Sequence, residues 1–411
     1  MMILQKRADA GSNSNGVNCS ELLSTSHRCF GNDLVAQRRR CGKNILDILT
    51  FASLLICFLT SAGSADAKYA HTLFYETVRT SGMGGACVAV ADDQQALHCN
   101  PAGLCQVKDK AYAPISANAE INQDFRRVKN KTDGLSDNDT PEARTANNQI
   151  LSSIMGQRAR SVMSNLAYYL GGTGYGAAFL YQAAAETRVI RPTSPRIQAI
   201  GDVDSVLSGS ISRPVPGTRI AFNDKAEGWW GATLKFLSRR SIDKEFDARD
   251  FAGLSENDLR SNEFKGATFD FDGGTFWKLK NKWNSTIGLF VANLFESEID
   301  PSIGRLRRVV SLGTTIRPLK GENAQKLMLA ADYWDLGGSG SEMSKRRLGM
   351  EFQALKWLKL RGGIRGGYLS AGCTATFREA RLEFATYSEE VGPRPGDRED
   401  RRYSVSLGIE F

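Results

Sequence analysis

Histidine is scarce in this chain of 411 residues, and so are long apolar runs. Three histidines occur in total, and only His71 and His98 follow residue 67. This leaves little basis for Ser-His triads or histidine-rich metal sites, so we expect neither an enzyme nor a cofactor or metal. After residue 67 no stretch of 18 or more apolar residues occurs, which excludes a transmembrane helix from that part of the sequence.

Basic runs and zinc-type cysteine pairs are also missing. The formal net charge is +8, but no lysine or arginine cluster dominates the chain after residue 67, so no nucleic-acid partner is expected. Four of the eight cysteines follow residue 67, namely Cys87, Cys99, Cys105 and Cys373. They lack the C-x-x-C spacing of zinc ligands. In an oxidising compartment a disulfide among the first three is one alternative, and small buried thiols are the other.

The first 67 residues predict a leader for export. Four basic residues between positions 38 and 43 precede the apolar stretch 45–60, and Ala65 and Ala67 follow it in a small-residue sequence. These are the parts of a Sec-type signal peptide, so we expect cleavage near residue 67. A true transmembrane helix is the alternative, which the short apolar stretch and Asp47 disfavour.

From residue 283 to the end, apolar and polar residues alternate. In the final RRYSVSLGIEF, every second residue from Tyr403 to Phe411 is apolar, and charged residues, serine or glycine stand between them. RRLGMEFQA, WLKLRGGIRGGYL, REARLEFATY and RVVSLGTTIRP repeat the pattern, whereas in KLMLAADYW Met328 and Trp334 fall on the polar side. A period of two indicates strands with one apolar and one polar face.

A soluble β-sandwich also has such strands, but three features favour a membrane barrel. The segments are about ten residues long, as a tilted membrane-crossing strand requires. Aromatic residues lie near their ends, and glycine recurs on their polar face at Gly349, Gly363, Gly367 and Gly408. We therefore predict an all-β fold, a transmembrane antiparallel β-barrel of about 14 strands over residues 111–411. Its luminal charged residues are predicted to include Arg347, Lys359, Arg361 and Arg365.

Less regular strands fill the first part of the predicted barrel. They are AYAPISANAEI, MSNLAYYL followed by YGAAFLYQ, GWWGATLKFLS, GATFDFDGGTFWKL and WNSTIGLFVANL. Three polar segments, 122–160, 184–226 and 240–264, are too long for turns, so we predict that they form outer loops. The first of them contains ANNQILSSIMGQ, a predicted short helix.

The segment SGMGGACVAVADDQQALHCNPAGL lies between the leader and the barrel. It is not a Rossmann or P-loop fingerprint, because Cys87 stands at the third glycine position and no Lys-Ser/Thr follows Gly85. It closely resembles the opening of the FadL-like and PorV-like outer-membrane barrels. IGLFVANL and the terminal YSVSLGIEF, with Tyr403 and Phe411 as the C-terminal barrel signature, resemble that family too. The similarity covers most of residues 78–106 and 283–411 and is strongest to spirochaetal FadL-type proteins.

This resemblance implies a barrel plugged by an N-terminal hatch at residues 68–110. It also implies an outer-membrane location and uptake of long-chain fatty acids or other hydrophobic compounds by diffusion. The implied partners are that ligand, outer-membrane lipid and the barrel-assembly machinery. Carried over to this sequence, the hatch turn is Gly82, Gly84 and Gly85, and the hatch motif is Asn100, Pro101 and Ala102. Asp92 and Asp93 would pair with luminal arginines such as Arg361 or Arg365.

Two alternatives to transport remain at this point. A PorV-like barrel would act as a surface carrier or assembly partner for exported proteins, and an exposed adhesin would use the long loops. The substrate is also open, because His98, Cys99 and Cys105 flank Asn-Pro-Ala where the family has apolar or aromatic residues. Trp229 and Trp230 are the best candidates for a lipid-catching groove, but they suit an interface girdle equally well.

Overall fold

The computed structural model describes residues 75–107, 110–172, 174–217, 225–255, 263–319, 321–338, 341–392, 394 and 396–411. The predicted leader with its cleavage site lies outside these residues. No helix among the described residues is both long and apolar enough to cross a membrane.

Strands make up most of the described chain. They are β1 (Ala111–Ala113), β2 (Ile115–Asn122), β3 (Arg158–Leu170), β4 (Tyr175–Ile190), β5 (Arg196–Pro214), β6 (Ala226–Phe246), β7 (Phe264–Leu279), β8 (Thr286–Ala292), β9 (Glu298–Asp300), β10 (Gly304–Arg305), β11 (Val309–Ile316), β12 (Leu327–Tyr333), β13 (Arg346–Leu355), β14 (Leu358–Arg365), β15 (Tyr368–Phe377), β16 (Ala380–Glu390) and β17 (Glu399–Ile409). The helices are α1 (Val78–Gly82), α2 (Phe125–Thr132), α3 (Pro141–Ser153) and α4 (Ala248–Ala252), with 3-10 turns at Gln94–Leu97, Pro101–Gln106 and Gly321–Asn323.

The sheet closes on itself. Each wall strand pairs antiparallel with its neighbours in sequence, β17 pairs with β2, and β3 pairs with both β2 and β4. β1 and β2 flank Pro114 and both pair with β3, so they form one interrupted wall strand, while β9 and β10 form a separate hairpin. The described wall therefore has 14 strands, which confirms the predicted antiparallel barrel.

The wall has an apolar outside and a polar inside. On β13, Leu348, Met350 and Phe352 are 39–47% exposed, whereas Arg347 and Glu351 between them are buried. The same alternation runs along β17, where Tyr403 is exposed on the outside and Arg402 is buried. A closed barrel with an apolar exterior is stable in a bilayer because no strand edge is left unpaired there. The protein is a transmembrane β-barrel of the outer-membrane type.

The strands differ in length around the barrel. β4, β5 and β6 have 16, 19 and 21 residues, whereas β8, β11 and β12 have 7, 8 and 7. On the outside of β6, exposed Leu234 and Phe236 are followed by Arg240, so the strand continues beyond the apolar band. We call the parts of β4, β5 and β6 past this band the strand extension.

The strand extension corrects two predicted loops. Most of 184–226 and the start of 240–264 are strand, and the connections that remain are 191–195, 215–225 and 247–263. Both faces of the extension lie outside the apolar band, so neither needs to be apolar. The alternation that identifies a membrane strand is therefore missing there.

Helices cover one face of the extension. Val128 of α2, Leu151 of α3 and Ala248 of α4 belong to one buried apolar cluster with Val189 of β4 and Ile197 of β5. α3 begins at Pro141, with the Thr140 hydroxyl accepting from the amide of Ala143. This confirms the predicted helix at 146–157, although it begins five residues earlier and ends at Ser153.

The barrel has two different rims. The rim at residues 111 and 411, here called the terminal rim, carries the connections 171–174, 215–225, 280–285, 317–326, 356–357 and 378–379. The opposite rim, here called the loop rim, carries the longer connections 123–157, 247–263 and 293–308. At the terminal rim Trp283, Trp357, Phe377 and Phe411 are 45–68% exposed, and the rings of Trp357 and Phe377 stack at 5.7 Å. Such aromatic residues mark the interface between bilayer and water.

Candidate functional site: the inner segment and its two walls

Residues 75–107, here called the inner segment, lie inside the barrel. Asp92 is their one exposed residue. α1 packs against β14, β15, β16 and β17, while the turn Pro101–Gln106 packs against β4, β5, β6 and β7 on the opposite side. The inner segment therefore crosses the lumen from one wall to the other.

A glycine turn follows α1. Gly84 and Gly85 adopt φ values of +65° and +81°, a conformation that only glycine adopts readily. A Cβ on Gly84 would lie 2.4 Å from the backbone oxygen of Leu348. Gly82, the last residue of α1, has ordinary φ, but a Cβ there would lie 3.2 Å from the Cα of Gly372 on the wall. The three glycines thus fit the turn tightly against the barrel.

Wall glycines meet this turn from the other side. A Cβ on Gly349 would lie 2.5 Å from the backbone oxygen of Met83, and one on Gly363 would lie 2.5 Å from the amide nitrogen of Gly84. The wall glycines that approach the inner segment in the same way are Gly231, Gly274, Gly288, Gly313 and Gly372. Gly367 differs, since it lies in the β14–β15 turn with φ +98°. Close packing against the inner segment therefore explains Gly349 and Gly363, but not Gly408, where a Cβ would meet only Ser116 and Arg381 at 3.6 Å or more.

An arginine of α1 links the inner segment to the wall. Arg79 donates to Asp92 at 2.6 Å, to Asp93 at 2.8 Å and through two nitrogens to Glu351 of β13 at 2.8 and 2.9 Å. Arg79, Asp93 and Glu351 are largely shielded from solvent. We call these four residues the charge clamp. Bidentate arginine–carboxylate pairs are strong and directional, so the clamp fixes the position of α1.

Neither Arg361 nor Arg365 pairs with Asp92 or Asp93 as predicted, although another arginine, Arg317, lies 3.8 Å from Asp92. Arg361 donates instead to Glu351 at 2.7 Å, and Arg365 donates to Glu76 at 2.8 Å. Arg79 takes the predicted role because it lies within the inner segment and reaches both aspartates. Its wall partner Glu351 is 272 residues away in sequence, and the sequence offers no local signal for that pair.

The two other predicted luminal cations lie at different places. Arg347 is buried, donates to the backbone oxygen of Gly85 at 3.0 Å and stacks over the Trp334 ring at 4.0 Å. Lys359 is half-exposed, and its ammonium lies 4.0 Å from Glu351. Trp334, an exception to the alternation, therefore faces the lumen. Met328, the second exception, is also buried inside, in one apolar cluster with Met83 and Val90.

Asn100 links two parts of the inner segment to each other and to β7. Its side-chain oxygen accepts from the amide of Ala102 at 3.2 Å, and its side-chain nitrogen donates to the backbone oxygens of Val88 at 2.8 Å and Thr275 at 3.2 Å. Pro101 is the first residue of the following 3-10 turn, a position that needs no backbone donor. Asn-Pro-Ala thus starts this turn and holds it against β7.

A disulfide joins Cys87 to Cys99 in the described chain, and Cys105 and Cys373 are free thiols. The sequence left both alternatives open. The disulfide is buried in one cluster with Phe290 and Trp334. Burial raises the pKa of the Cys105 thiol to about 11, so this thiol stays protonated at neutral pH.

His98 lies beside the disulfide and is uncharged. Its ring packs edge-on against Tyr75 with centroids 5.4 Å apart. Burial, followed by the nearby charge of Lys235, lowers the pKa of His98 to about 4. It therefore acts as an apolar packing residue at neutral pH. Among the described residues, no group of three or more His, Cys, Asp or Glu side chains is placed to hold a metal ion.

The opposite wall meets the inner segment through apolar side chains. Inward-facing Leu166, Leu180, Val206 and Leu237 come from β3, β4, β5 and β6. They form one buried cluster with Leu97 and Leu104 of the inner segment and with Ile299, Ile303 and Leu306 of connection 293–308. We call this set the apolar seam. It extends from a loop-rim connection to the inner segment, and no local sequence pattern indicates it.

A cavity of about 680 Å³ lies at the terminal-rim side of the inner segment. The charge clamp forms part of its lining, together with Val107, Ala111 and Leu170. Leu170 belongs to the same buried cluster as the apolar seam, and Val107 and Ala111 pack against that cluster. The seam therefore reaches the cavity. Trp229 and Trp230 lie at the terminal-rim end of β6, far from the long loops, so they do not form a groove at the loop rim.

No protein-family model matches the sequence, and no curated protein matches it. Among solved structures, the chain is similar to the monoaromatic hydrocarbon channel TodX, as a deltaS2 mutant, with 10% identity over 82% of this chain and 97% of that chain and a TM-score of 0.45. It is similar to the monoaromatic hydrocarbon channel CymD, with 11% identity over 83% and 98% and a TM-score of 0.42. It is also similar to the P. putida toluene transporter TodX, with 10% identity over 82% of this chain and 97% of that chain and a TM-score of 0.41. All three are distant similarities in chain path.

Proposed function

We propose that this protein is an outer-membrane channel for the uptake of hydrophobic compounds, with long-chain fatty acids as the proposed substrates. Residues 68–110 would be its hatch, and the barrel would begin at residue 111. The observation that carries this proposal is the apolar seam. It is a buried apolar path from a loop-rim connection to the inner segment, whereas β13, β14 and β15 meet that segment through charged groups and glycines.

The seam would be the closed form of the path. Ile299, Ile303 and Leu306 come from a connection, not from a wall strand, and their side chains fill the seam. Burying an aliphatic side chain contributes about 1.5–3 kcal/mol. An alkyl chain of similar apolar area offers the wall the same contact, so it could replace these three side chains at little net cost.

The hatch residues would then have two roles. Gly82, Gly84 and Gly85, together with the charge clamp, would hold one end of the inner segment against the wall. Asn100, Pro101 and Ala102 would hold the end next to the seam, where a passing ligand must displace Leu97 or Leu104. Tyr403 and Phe411 would serve recognition by the barrel-assembly machinery, and the outer-membrane lipid would cover the apolar band.

Binding of a fluorescent long-chain fatty acid to the refolded full chain tests the proposal. We expect saturable binding that unlabelled oleate competes away. Leu180→Gln should weaken it, because a polar amide would then line the seam. Met328→Gln is the matched control, since Met328 is also buried inside the barrel but lies outside the seam. Absence of saturable binding, or equal effects of the two variants, would reject the proposal.

A carrier or assembly partner for exported proteins is the second candidate function. The strand extension and its helices favour it, because they form a folded surface outside the apolar band. A stoichiometric protein partner recovered with the barrel, together with no lipid binding, would support this function over transport. The long loop-rim connections are also the basis of the adhesin alternative, which would require binding to a host surface.

A further inference from the structure

The cavity at the terminal rim has an excess of unpaired positive charge. Six acidic side chains line it, and five of them already accept hydrogen bonds; these are Asp92, Asp93, Glu351, Glu383 and Glu410. Their basic partners come from three arginines that also line the cavity, Arg79, Arg361 and Arg381. Because three arginines serve five carboxylates, this layer by itself keeps a net charge of −2.

Further cations outweigh this negative charge, because eight basic and six acidic side chains line the cavity in total. Among the residues that the structure describes, the side chains of Lys110, Lys326 and Arg378 line the cavity without contacting an acidic side chain. Arg317 lies 3.8 Å from Asp92, which Arg79 already binds at 2.6 Å. Glu379 is the remaining acidic side chain of the lining. An anion that enters the cavity would therefore meet cations that no acidic side chain binds closely.

The apolar side chains of the lining indicate that the ligand has an apolar part as well as an anionic group. Leu170, Val107 and Ala111 connect the cavity directly to the apolar seam. A free inorganic anion would use the cations and leave this apolar connection without a role. A neutral hydrocarbon would contact the apolar seam but would leave the cations of the cavity without an anionic partner. The volume of about 680 Å³ is that of an ordinary small-molecule site.

We propose that this cavity binds the anionic head group of an amphiphile whose alkyl chain lies along the apolar seam. This inference rests on the proposed transport function and narrows its substrate to compounds with a carboxylate or phosphate head. The cations Lys110, Lys326 and Arg378, with Arg317 beside them, hold the head at the terminal rim, on the far side of the inner segment from the long loops.

The test compares ligands that share one alkyl chain. Binding of oleate, oleyl alcohol and monooleoyl lysophosphatidic acid is measured for the refolded full chain and for a K326Q/R378Q double variant. The matched control is K282Q/K356Q, which removes two exposed charges of the same rim outside the cavity. For each ligand the ratio of the variant and wild-type Kd values cancels its partition into detergent micelles.

We expect K326Q/R378Q to weaken oleate binding about fivefold, which corresponds to about 1 kcal/mol for the loss of two exposed charges. Oleyl alcohol binding should change less than about twofold, as should binding of every ligand to the control. A larger loss for the phosphate lipid than for oleate would identify a phosphate head. Equal ratios of variant to wild-type Kd for all ligands would overturn the head-group site without contradicting the proposed channel. Absence of saturable oleyl alcohol and oleate binding would reject the channel itself.

Discussion

The two walls of the barrel hold the inner segment by different physical means. At β13, β14 and β15 the contacts are backbone against wall glycines and an arginine with three carboxylates. At β3, β4, β5 and β6 the contacts are largely aliphatic side chains. The first kind depends on position to a fraction of an ångström, whereas the second is non-directional and accepts any apolar group of suitable size.

This difference assigns different roles to the two walls. Moving α1 would leave buried charges without partners, which is strongly unfavourable. Moving a leucine out of the seam costs only its apolar contact, and a ligand restores that contact. We therefore expect the wall with the charge clamp to stay fixed while hydrophobic compounds pass along the seam.

Removing the clamp arginine should have the largest effect. Arg79→Leu leaves Asp92, Asp93 and Glu351 close together without their shared cation, so we expect the inner segment to lose about 3–5 kcal/mol of stability. Hydrogen exchange of residues 75–107 measures this loss. Arg144→Leu, at an exposed pair with Asp139 on a loop-rim connection, should cost less than about 1 kcal/mol. Unchanged protection in Arg79→Leu would contradict the clamp.

The glycine turn comes next. Gly84→Val places a side chain 2.4 Å from the backbone oxygen of Leu348, in a left-handed conformation, and should displace the turn at a cost of about 3 kcal/mol. The barrel should still fold, and ion conductance in planar bilayers should rise as the plug loosens. Gly273→Val is the control, because nothing lies within 4 Å of its Cβ position. Equal conductance in the two variants would show that the turn does not close the lumen.

The disulfide should contribute less. Cys87 and Cys99 close a short chain segment, and a loop of about 15 residues corresponds to roughly 3 kcal/mol in the chain-entropy account. A Cys87→Ala/Cys99→Ala variant should therefore lose about 2–3 kcal/mol in the inner segment while the wall keeps its exchange protection. Cys105→Ala, at a free thiol, is the comparison and should have little effect. A larger loss from Cys105→Ala would be inconsistent with the described pairing.

Ile303→Ala tests whether a ligand can replace a side chain of the apolar seam. It should give the smallest change in stability. Ile303 is buried in the seam, so the shortened side chain should loosen connection 293–308 by about 2 kcal/mol. Because the connection would compete less with the ligand, fatty-acid uptake into cells should become faster, not slower. Leu336→Ala, at an exposed leucine of another loop-rim connection, is the control. Slower uptake in Ile303→Ala would mean that the ligand does not replace this side chain.

The sequence predicts the wall well where a strand has lipid on one side and the lumen on the other. That condition produces the period of two from β11 to β17 and reveals the barrel. It fails for the strand extension, whose faces have no lipid to distinguish them. Met328 and Trp334 interrupt the alternation in β12 and just after it. Both side chains are apolar because they contact the inner segment or its disulfide.

Within the candidate site, local motifs were easier to predict than their partners. Gly84, Gly85 and Asn100 act on neighbouring backbone, so their residue types indicate a turn and a cap from sequence alone. Arg79 and Glu351, or Leu97 and Leu237, meet only because the chain closes into a barrel. Such pairs have no fixed spacing, so sequence reasoning had no means of finding them.

Photolabelling by a diazirine-bearing long-chain fatty acid, mapped by mass spectrometry, tests the central claim most directly. The labels that count are those that excess unlabelled oleate removes, since lipid-facing residues will be labelled without saturation. We predict that competed labels fall on the apolar seam, at Leu166, Leu180, Val206 or Leu237. Competed labels at Met328 or Phe290 on the opposite side, or no competed label inside the barrel, would contradict passage along the seam.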